Sequence, residues 1–342
     1  IIAGLLGANR MLGDVLNTQE LLTLATAIEG HPDNVAPALL GGLTSSVFED
    51  GKVYSVKRNV DESLCFAAIV PDYKLLTEAA RAALHYWEEP CISGTRGSGT
   101  VFFSGCSLRC AFCQNEEISA RDFGKKVAPE ELAQIYRELE EKGAHNINLV
   151  NPTHFVPAIL ESFRYYRPKV PVVYNSSGYE TVESVQAWRG YIDIWLADLK
   201  YVSSALSAEL SSAPDYFAQA KPAIEAMMAQ AGHPVFNAEG ILQKGVILRH
   251  LALPGHVEDS FAVLDQMAAW NDADPGCFLP SVMSQYTPFY KAAEHGIGRR
   301  ITTYEYRRVV NYAMDKGLAQ GYMQQKSSAK EEYTPSFDLT GV

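Results

Sequence analysis

Three cysteines, Cys106, Cys110 and Cys113, lie on one short stretch with the spacing C-x3-C-x2-C. Thiolates at such spacing bind either zinc or an iron–sulfur cluster. A structural zinc site and a saturated cluster both need four protein ligands, and this stretch supplies three. Three thiolates on a four-iron cluster leave one iron open to a substrate, so the spacing favours a catalytic 4Fe–4S cluster. The alternative is a zinc knuckle whose fourth ligand lies elsewhere in the chain.

The cysteine loop follows a predicted buried strand. Residues 100–104 are mostly β-branched and aromatic, and Gly105 separates them from the first cysteine. The loop would therefore begin at the carboxyl end of a first strand, where barrel-like α/β enzymes place their chemistry. The spacing, with Phe112 before the last cysteine, resembles the radical S-adenosylmethionine (SAM) superfamily. More closely, residues 92–106 and 113–115 resemble homologues of pyruvate formate-lyase activating protein.

The resemblance implies two cofactors, a 4Fe–4S cluster and SAM. In this superfamily the amino and carboxylate groups of SAM bind the open iron. One electron from the cluster then releases a 5′-deoxyadenosyl radical, and the protein supplies positioning and shielding. By analogy with the activating proteins, the radical would abstract hydrogen from a glycine of a partner protein, making a glycyl radical. An electron donor such as flavodoxin or ferredoxin would be a second partner.

Polar residues at the ends of later predicted strands are the candidates for holding SAM. By strand, they are Asn151 and Thr153, then Asn175 and Ser177, then Asp198 and Lys200, and finally Arg249. Many relatives have Gly-Gly-Glu where Asn151 and Thr153 stand, so these two are expected as substitutes. Asp198 and Lys200 are two residues apart and face the same side of an extended chain. They resemble the Asp-x-Lys of activating enzymes.

Four of these residues also have a simpler interpretation. Asn151 and Pro152 together suit a turn. Asp198 and Lys200 suit a plain ion pair at a barrel rim, and Arg249 suits a partner for a neighbouring acid. Two further residues, Gln285 and Tyr286, are candidates for the substrate side.

The elements that position these residues alternate between strands and helices from residue 100 onward. The strands are predicted at 100–104, 146–151, 170–175, 192–199, 245–251 and 277–284. The helices are predicted at 129–142, 155–166, 181–189, 215–231, 258–270 and 302–316. This alternation predicts a parallel sheet, here an α/β partial (βα)6 barrel open on one side, within residues 82–325. Residues 326–342 are expected to form a polar C-terminal tail.

Residues 1–81 differ from the rest and predict an α+β fragment. Thr18 is a candidate cap for a helix, and strands are predicted at 42–46, 53–57 and 64–70. Residues 29–42 resemble homoserine kinase of the GHMP kinase family, where the glutamate at Glu29 would help hold the magnesium of ATP. In that family a phosphate-binding loop lies before this point. No such loop is evident in this sequence, so kinase activity is not expected.

Near residues 79–84 the resemblance passes from the kinase to the activating proteins, which suggests a chimera. Two alternatives to a working radical SAM enzyme therefore remain. One is a remnant of a homoserine kinase, and the other is a non-catalytic fusion product.

Composition limits the function classes. The chain has 342 residues, 47% of them hydrophobic, and a net charge of -11, which argues against a nucleic-acid partner. Neither a membrane-spanning run nor a signal peptide is evident in the sequence. Six cysteines, three of them clustered, do not suit a disulfide framework, so we expect a cytoplasmic, reducing location.

Overall fold

The computed structural model describes residues 2–32, 35–41, 43–58, 75–121, 123–323 and 337–342. The chain divides into two units, residues 1–72 and 73–342, which are described separately below. The predicted strand at 64–70 and residues 326–336 of the predicted tail lie outside the described residues. Among the described residues, every helix is too short or too polar to cross a membrane.

The described residues of the first unit form three helices and a hairpin, in agreement with the predicted α+β fragment. They are α1 (Ile2–Met11), α2 (Thr18–Glu29), α3 (Val35–Leu40), β1 (Leu43–Glu49) and β2 (Lys52–Arg58). The predicted cap of α2 was one residue off, because the side chain of Asn17 accepts from the N–H groups of Gln19 and Glu20. Asp50 and Gly51, with φ of 49° and 72°, form the hairpin turn.

The second unit is a sheet flanked by helices. Its strands are β3 (Thr77–His85), β4 (Ser98–Phe103), β5 (Lys125–Val127), β6 (Ile147–Val150), β7 (Val172–Ser176), β8 (Ile194–Asp198), β9 (Val235–Phe236), β10 (Leu242–Leu251), β11 (Leu279–Met283) and β12 (Tyr322–Met323). Its helices are α4 (Pro90–Ser93), α5 (Glu116–Ala120), α6 (Pro129–Glu141), α7 (Val156–Tyr165), α8 (Val182–Ala187), α9 (Ser204–Ser211), α10 (Tyr216–Ala231), α11 (Val257–Ala273) and α12 (Thr303–Asp315).

The sheet has the strand order β12-β11-β10-β8-β7-β6-β4-β3-β5. The run from β4 to β12 is parallel, whereas β3 pairs antiparallel with both β4 and β5. Successive parallel strands are neighbours, as in a barrel, but β5 and β12 form two separate edges. The six strands and six helices predicted from the alternation are all present, within a few residues of their predicted ends.

The two faces of the sheet have different partners, because side chains alternate along a strand. Tyr174 and Trp195 face the helices and belong to the main core with residues such as Leu132 of α6. The opposite residues, such as Val173 and Leu196, pack instead against Cys91 and Ile92 of α4. The short segment around α4 therefore fills the inner side of the curved sheet.

The predicted junction at 81/82 falls inside a strand of the second unit. Residues 77–85 straddle the predicted junction at 81/82, yet they form one strand, β3, paired with β4. Alanines at 79, 80 and 82 are buried there, and they suit either segment by composition alone. The end of the predicted tail is also packed, because Leu339 and Thr340 hydrogen-bond to Ala80 and Ala82 of β3.

Candidate active site

Hydrogen bonds from three other segments hold the cysteine loop in place. The N–H of Ala111 donates to the carbonyl of Leu210 at 2.8 Å, and the carbonyl of Ala111 accepts from the N–H of Lys291 at 2.8 Å. At its start, the carbonyl of Gly105 accepts from the side-chain amide of Asn151. Gly105 has a φ of 83°, which lets the chain turn out of β4 into the loop. The loop is thereby fixed to α9, to the turn near Lys291 and to the end of β6.

The three thiols of the loop are free and partly exposed. Two of them have hydroxyl neighbours: Ser211 Oγ donates to Cys110 Sγ at 3.1 Å, and Cys113 Sγ lies 3.2 Å from Ser119 Oγ. Burial raises the pKa of Cys110 to about 12, although the Lys200 charge opposes the rise. Burial likewise raises the pKa of Cys106. A bound cation would favour the thiolates that these surroundings otherwise keep protonated.

A cavity of about 250 Å³ lies beside the loop at the carboxyl ends of the parallel strands. Among the predicted site residues its lining includes Cys110, Phe112, Cys113, Asn175, Asp198, Lys200 and Arg249, together with Gln285 and Tyr286. The Phe112 and Tyr286 rings meet edge to face, with centroids 5.8 Å apart. Residues of seven strands (β3, β4, β6, β7, β8, β10 and β11) and of the cysteine loop thus line one cavity.

Arg249 is the centre of a charged network in this cavity. Its Nε donates to Asp198 Oδ1 at 2.8 Å, its Nη1 donates to Glu88 Oε2 at 3.2 Å, and its Nη2 donates to Asn175 Oδ1 at 2.7 Å. Lys200 Nζ donates to the other oxygen of Asp198 at 2.6 Å. The carboxylates of Asp198 and Glu88 therefore lie beside the cations of Arg249 and Lys200. The predicted ion pair of Asp198 and Lys200 belongs to this network of four charged side chains.

The protonation of the network follows from burial and from these partners. Burial disfavours the charge of Asp198, but Arg249 and Lys200 outweigh it and lower the pKa of that carboxyl. Asp198 in turn raises the pKa of Arg249 and of Lys200, against their burial. For Glu88, burial dominates and raises the pKa, although Arg249 opposes it. Asp198 is thus the firmly ionised acid of the pair.

Other predicted residues lie elsewhere. Among the described residues, the lining of this cavity leaves out Cys106, Asn151, Thr153 and Ser177. Asn151, with a φ of 57°, holds the cysteine loop instead. Thr153 donates to Glu180 at 2.6 Å, and the Ser177 carbonyl accepts from the Tyr216 hydroxyl at 2.7 Å. Roles for these residues in binding SAM stay predictions.

Two acids were missed by the sequence reasoning. Glu88 accepts hydrogen bonds from Asn148 and Asn175, besides its ion pair with Arg249. Glu89 accepts from Ser281 at 2.8 Å, and burial raises its pKa. The only sequence signal for them was the pair of acids directly before Pro90, a pattern that is typical of an ordinary loop. Their burial depends on α4 entering the curve of the sheet, which the local sequence does not show.

The residues of the loop fit an iron–sulfur cluster. Three free thiols share one loop, two of them line the adjoining cavity, and the Lys200 cation lies near Cys106 and Cys110. Within the described part of the chain, no group of three or more His, Cys, Asp and Glu side chains is arranged to hold a metal ion. The fit therefore rests on the thiols, their partial exposure and the adjoining cavity.

Comparison with known proteins gives separate relatives for the two parts of the chain. Residues 100–263 match the model of the radical SAM superfamily. An uncharacterised protein of Methanocaldococcus jannaschii, MJ0674, is 31% identical over 226 residues, which are 63% of this chain and 62% of that protein. The homoserine kinase of Clostridium beijerinckii is 49% identical over 84 residues in the N-terminal region, 25% of this chain and 28% of the kinase. The chain thus spans about three fifths of one relative and about a quarter of the other.

Two solved structures are similar to this chain at low TM-score and low identity. Methylornithine synthase (PylB) has a TM-score of 0.39 and 15% identity, covering 62% of this chain and 60% of its own. The hydrogenase maturase HydG has a TM-score of 0.44 and 14% identity, covering 64% of this chain and 48% of its own.

Residues 100–263 are thus similar to the radical SAM superfamily, and the predicted partial barrel is confirmed. The cofactors that this similarity implies are a 4Fe–4S cluster and SAM, as predicted. The N-terminal match to homoserine kinase supports the inference that two different ancestries are joined in this chain.

Proposed function

We propose that the chain is a radical SAM enzyme whose second unit cleaves SAM reductively and uses the resulting radical to abstract hydrogen from a substrate. The observation that carries the proposal is one cavity bordered both by the cysteine loop and by the charged strand ends. A cluster bound to Cys106, Cys110 and Cys113 would supply the electron, and SAM would supply the 5′-deoxyadenosyl group.

The residues of the chain would bind, orient and shield. Asp198 stays ionised beside Arg249 and Lys200, so it can accept a hydrogen bond from an ammonium group while the two bases face a carboxylate. Phe112 and Tyr286 form an apolar wall beside the cysteine loop, which excludes water from one side of the cavity. The amino-acid part of SAM carries both an ammonium and a carboxylate and suits this charge pattern.

As the finer proposal, the substrate is a glycine in a partner polypeptide, and the electron donor is a flavodoxin or ferredoxin. The resemblance of residues 92–106 to the activating-protein homologues supports it. A radical signal on a candidate partner protein, recorded by electron paramagnetic resonance after incubation with the reduced enzyme and SAM, would support it. Cleavage of SAM with no radical on any glycine-containing partner would favour a small-molecule substrate instead.

The cluster and the cleavage are tested anaerobically. Reconstituted protein should bind about four irons per chain, and after reduction with dithionite it should convert SAM to 5′-deoxyadenosine. A Cys110→Ala variant should lose the brown colour and the product. Cys277→Ala is the matched control, because Cys277 is buried outside the loop and should leave both unchanged. One zinc and no iron in the reconstituted protein would contradict the proposal, as would equal product from both variants.

A further inference from the structure

The last turn of α9 holds the cysteine loop through its backbone. A helix ends with carbonyl groups that have no partner within the helix. Here the N–H of Ala111 donates to the carbonyl of Leu210 at 2.8 Å, and the N–H of Arg109 donates to the carbonyl of Ser211 at 3.1 Å. Leu210 is fully buried in the main core and anchors the helix. Ser211 therefore has a fixed place beside the cysteine loop.

The side chain of Ser211 belongs to a chain of hydrogen bonds that ends on a cysteine. Its hydroxyl donates to Cys110 Sγ at 3.1 Å. Its oxygen lies 2.8 Å from the hydroxyl oxygen of Tyr201. A serine hydroxyl has one hydrogen, and here that hydrogen points to the sulfur, so the tyrosine is the donor of the second bond. The direction of donation is therefore from Tyr201 to Ser211 to Cys110.

Both hydroxyls of this chain are shielded from water. Ser211 is 0% exposed and Tyr201 is 1% exposed, so no solvent molecule competes for either bond. A hydrogen bond in such surroundings is electrostatically stronger than one in water, and each bond of a chain polarises the next. The Tyr201 hydroxyl therefore strengthens the bond from Ser211 to the sulfur.

Cys113 has a similar neighbour in a more open place. Its Sγ lies 3.2 Å from Ser119 Oγ. Ser119 is partly exposed, and together with Cys113 it lines a second cavity of about 250 Å³. Water in that cavity can take the place of the Ser119 hydroxyl. The two serines thus offer the same contact to two sulfurs, one in a dry place and one in a wet place.

We propose that the hydroxyls of Ser211 and Ser119, the first supported by Tyr201, raise the reduction potential of the iron–sulfur cluster on the cysteine loop. The inference rests on the proposed function, since it needs that cluster. Reduction adds one electron to the cluster, and the thiolate sulfurs become more negative. A hydroxyl that donates to such a sulfur stabilises the reduced form more than the oxidised form, so the potential rises.

The test measures the midpoint potential of the reconstituted cluster by potentiometry monitored with electron paramagnetic resonance. No SAM is added, and dithionite is the source of electrons. Wild type is compared with Ser211→Ala, Tyr201→Phe, Ser119→Ala and Ser207→Ala, each also analysed for iron. Ser207→Ala is the matched control: Ser207 lies in α9 and is 1% exposed, but its hydroxyl donates to the carbonyl of Ser204 at 3.2 Å.

Ser211→Ala should make reduction about tenfold less favourable, which lowers the midpoint potential by about 59 mV for a one-electron couple. Tyr201→Phe should lower the potential by less, because the serine keeps its own bond to the sulfur. Ser119→Ala should also have a smaller effect than Ser211→Ala, because water replaces the exposed hydroxyl. Ser207→Ala should keep the potential and the iron content of wild type.

A potential of Ser211→Ala equal to or above that of wild type would overturn the inference, as would an equal decrease in Ser207→Ala. If Ser211→Ala does not assemble a cluster, Tyr201→Phe and Ser119→Ala decide, and wild-type potentials in both would overturn it. These outcomes are distinct from failure of the proposed function. Wild-type protein that binds no iron refutes the cluster itself, whereas a loaded cluster with unchanged potentials refutes only the role of the hydroxyls.

Discussion

Replacing Arg249 with methionine tests whether the charged network is built as described. The side chain of Arg249 is 13% exposed and donates to Asp198, Glu88 and Asn175. Methionine has a similar length, so Arg249→Met removes the charge and the donors with little change in volume. Two buried carboxylates then lose their shared cation, and only Asp198 keeps another one, Lys200.

Removing one partner of a buried ion pair destabilises a protein by about 3–5 kcal/mol, because the remaining charge is left uncompensated. Lys200 still compensates Asp198, so we expect about 3 kcal/mol, the lower end of that range, at neutral pH. The sign of the pH dependence follows from the carboxyls. Without Arg249 the folded-state pKa of Glu88 rises further above its unfolded value. The loss of stability should therefore be small below about pH 4 and grow as the pH rises.

Tryptophan fluorescence during urea unfolding is a suitable assay, because all four tryptophans, at 87, 188, 195 and 270, lie in the second unit. The transition therefore reports the barrel without the first unit. The free energies of wild type and Arg249→Met are compared at about pH 4 and about pH 8, because the loss is expected to grow as the pH rises above the unfolded-state pKa of a glutamate. A second variant, Arg249→Met with Glu88→Gln, should recover part of the loss at the higher pH.

An unfolding free energy of Arg249→Met within error of wild type at both pH values would refute the network as described. A loss of the same size at both pH values would refute the electrostatic explanation and leave only packing. Failure of Glu88→Gln to recover any stability would mean that Glu88 is not the carboxyl left unpaired.

Two further predictions concern the same unit. Gly178→Ala should lower the melting temperature more than Gly190→Ala does: both glycines have positive φ, 78° and 81°, but only at Gly178 would a Cβ collide with the carbonyl of Asp198. Burial lowers the pKa of His250 to about 4, so this residue destabilises the fold as the pH falls from about 6.5 toward 4. His250→Gln should flatten the acid side of the stability profile measured by urea unfolding, and an unchanged profile would contradict this.

The order of the parallel strands could be predicted from the sequence because each strand and helix there carries a local signal. Pro129 with the acids after it begins α6, and the apolar run before Asp198 forms β8. Since parallel strands end at one edge, the meeting of Asn175, Asp198 and Arg249 follows from the order alone. These predictions needed no knowledge of side-chain packing.

The residues that sequence reasoning missed depend on contacts between distant segments. Glu88 meets Asn148, Asn175 and Arg249 only because α4 enters the curve of the sheet. Asn151 has a left-handed backbone and donates its side-chain amide to the Gly105 carbonyl, a contact that its sequence neighbourhood does not indicate, and its role in binding SAM stays a prediction. A local pattern does not distinguish a polar side chain that holds a loop from one that faces a ligand.

The position of β3 limits where another N-terminal segment can be joined to this barrel. Resemblance alone places the join within residues 79–84, in the middle of β3. The strand, however, pairs with β5 and forms backbone hydrogen bonds with Leu339 and Thr340. It also leads directly into Glu88 and α4. A transplantable version of the catalytic unit therefore has to begin before Thr77. Exchange of the first unit at that point would keep the barrel's edge strand and its internal carboxylates, whereas exchange at residue 82 would divide the strand between two parents.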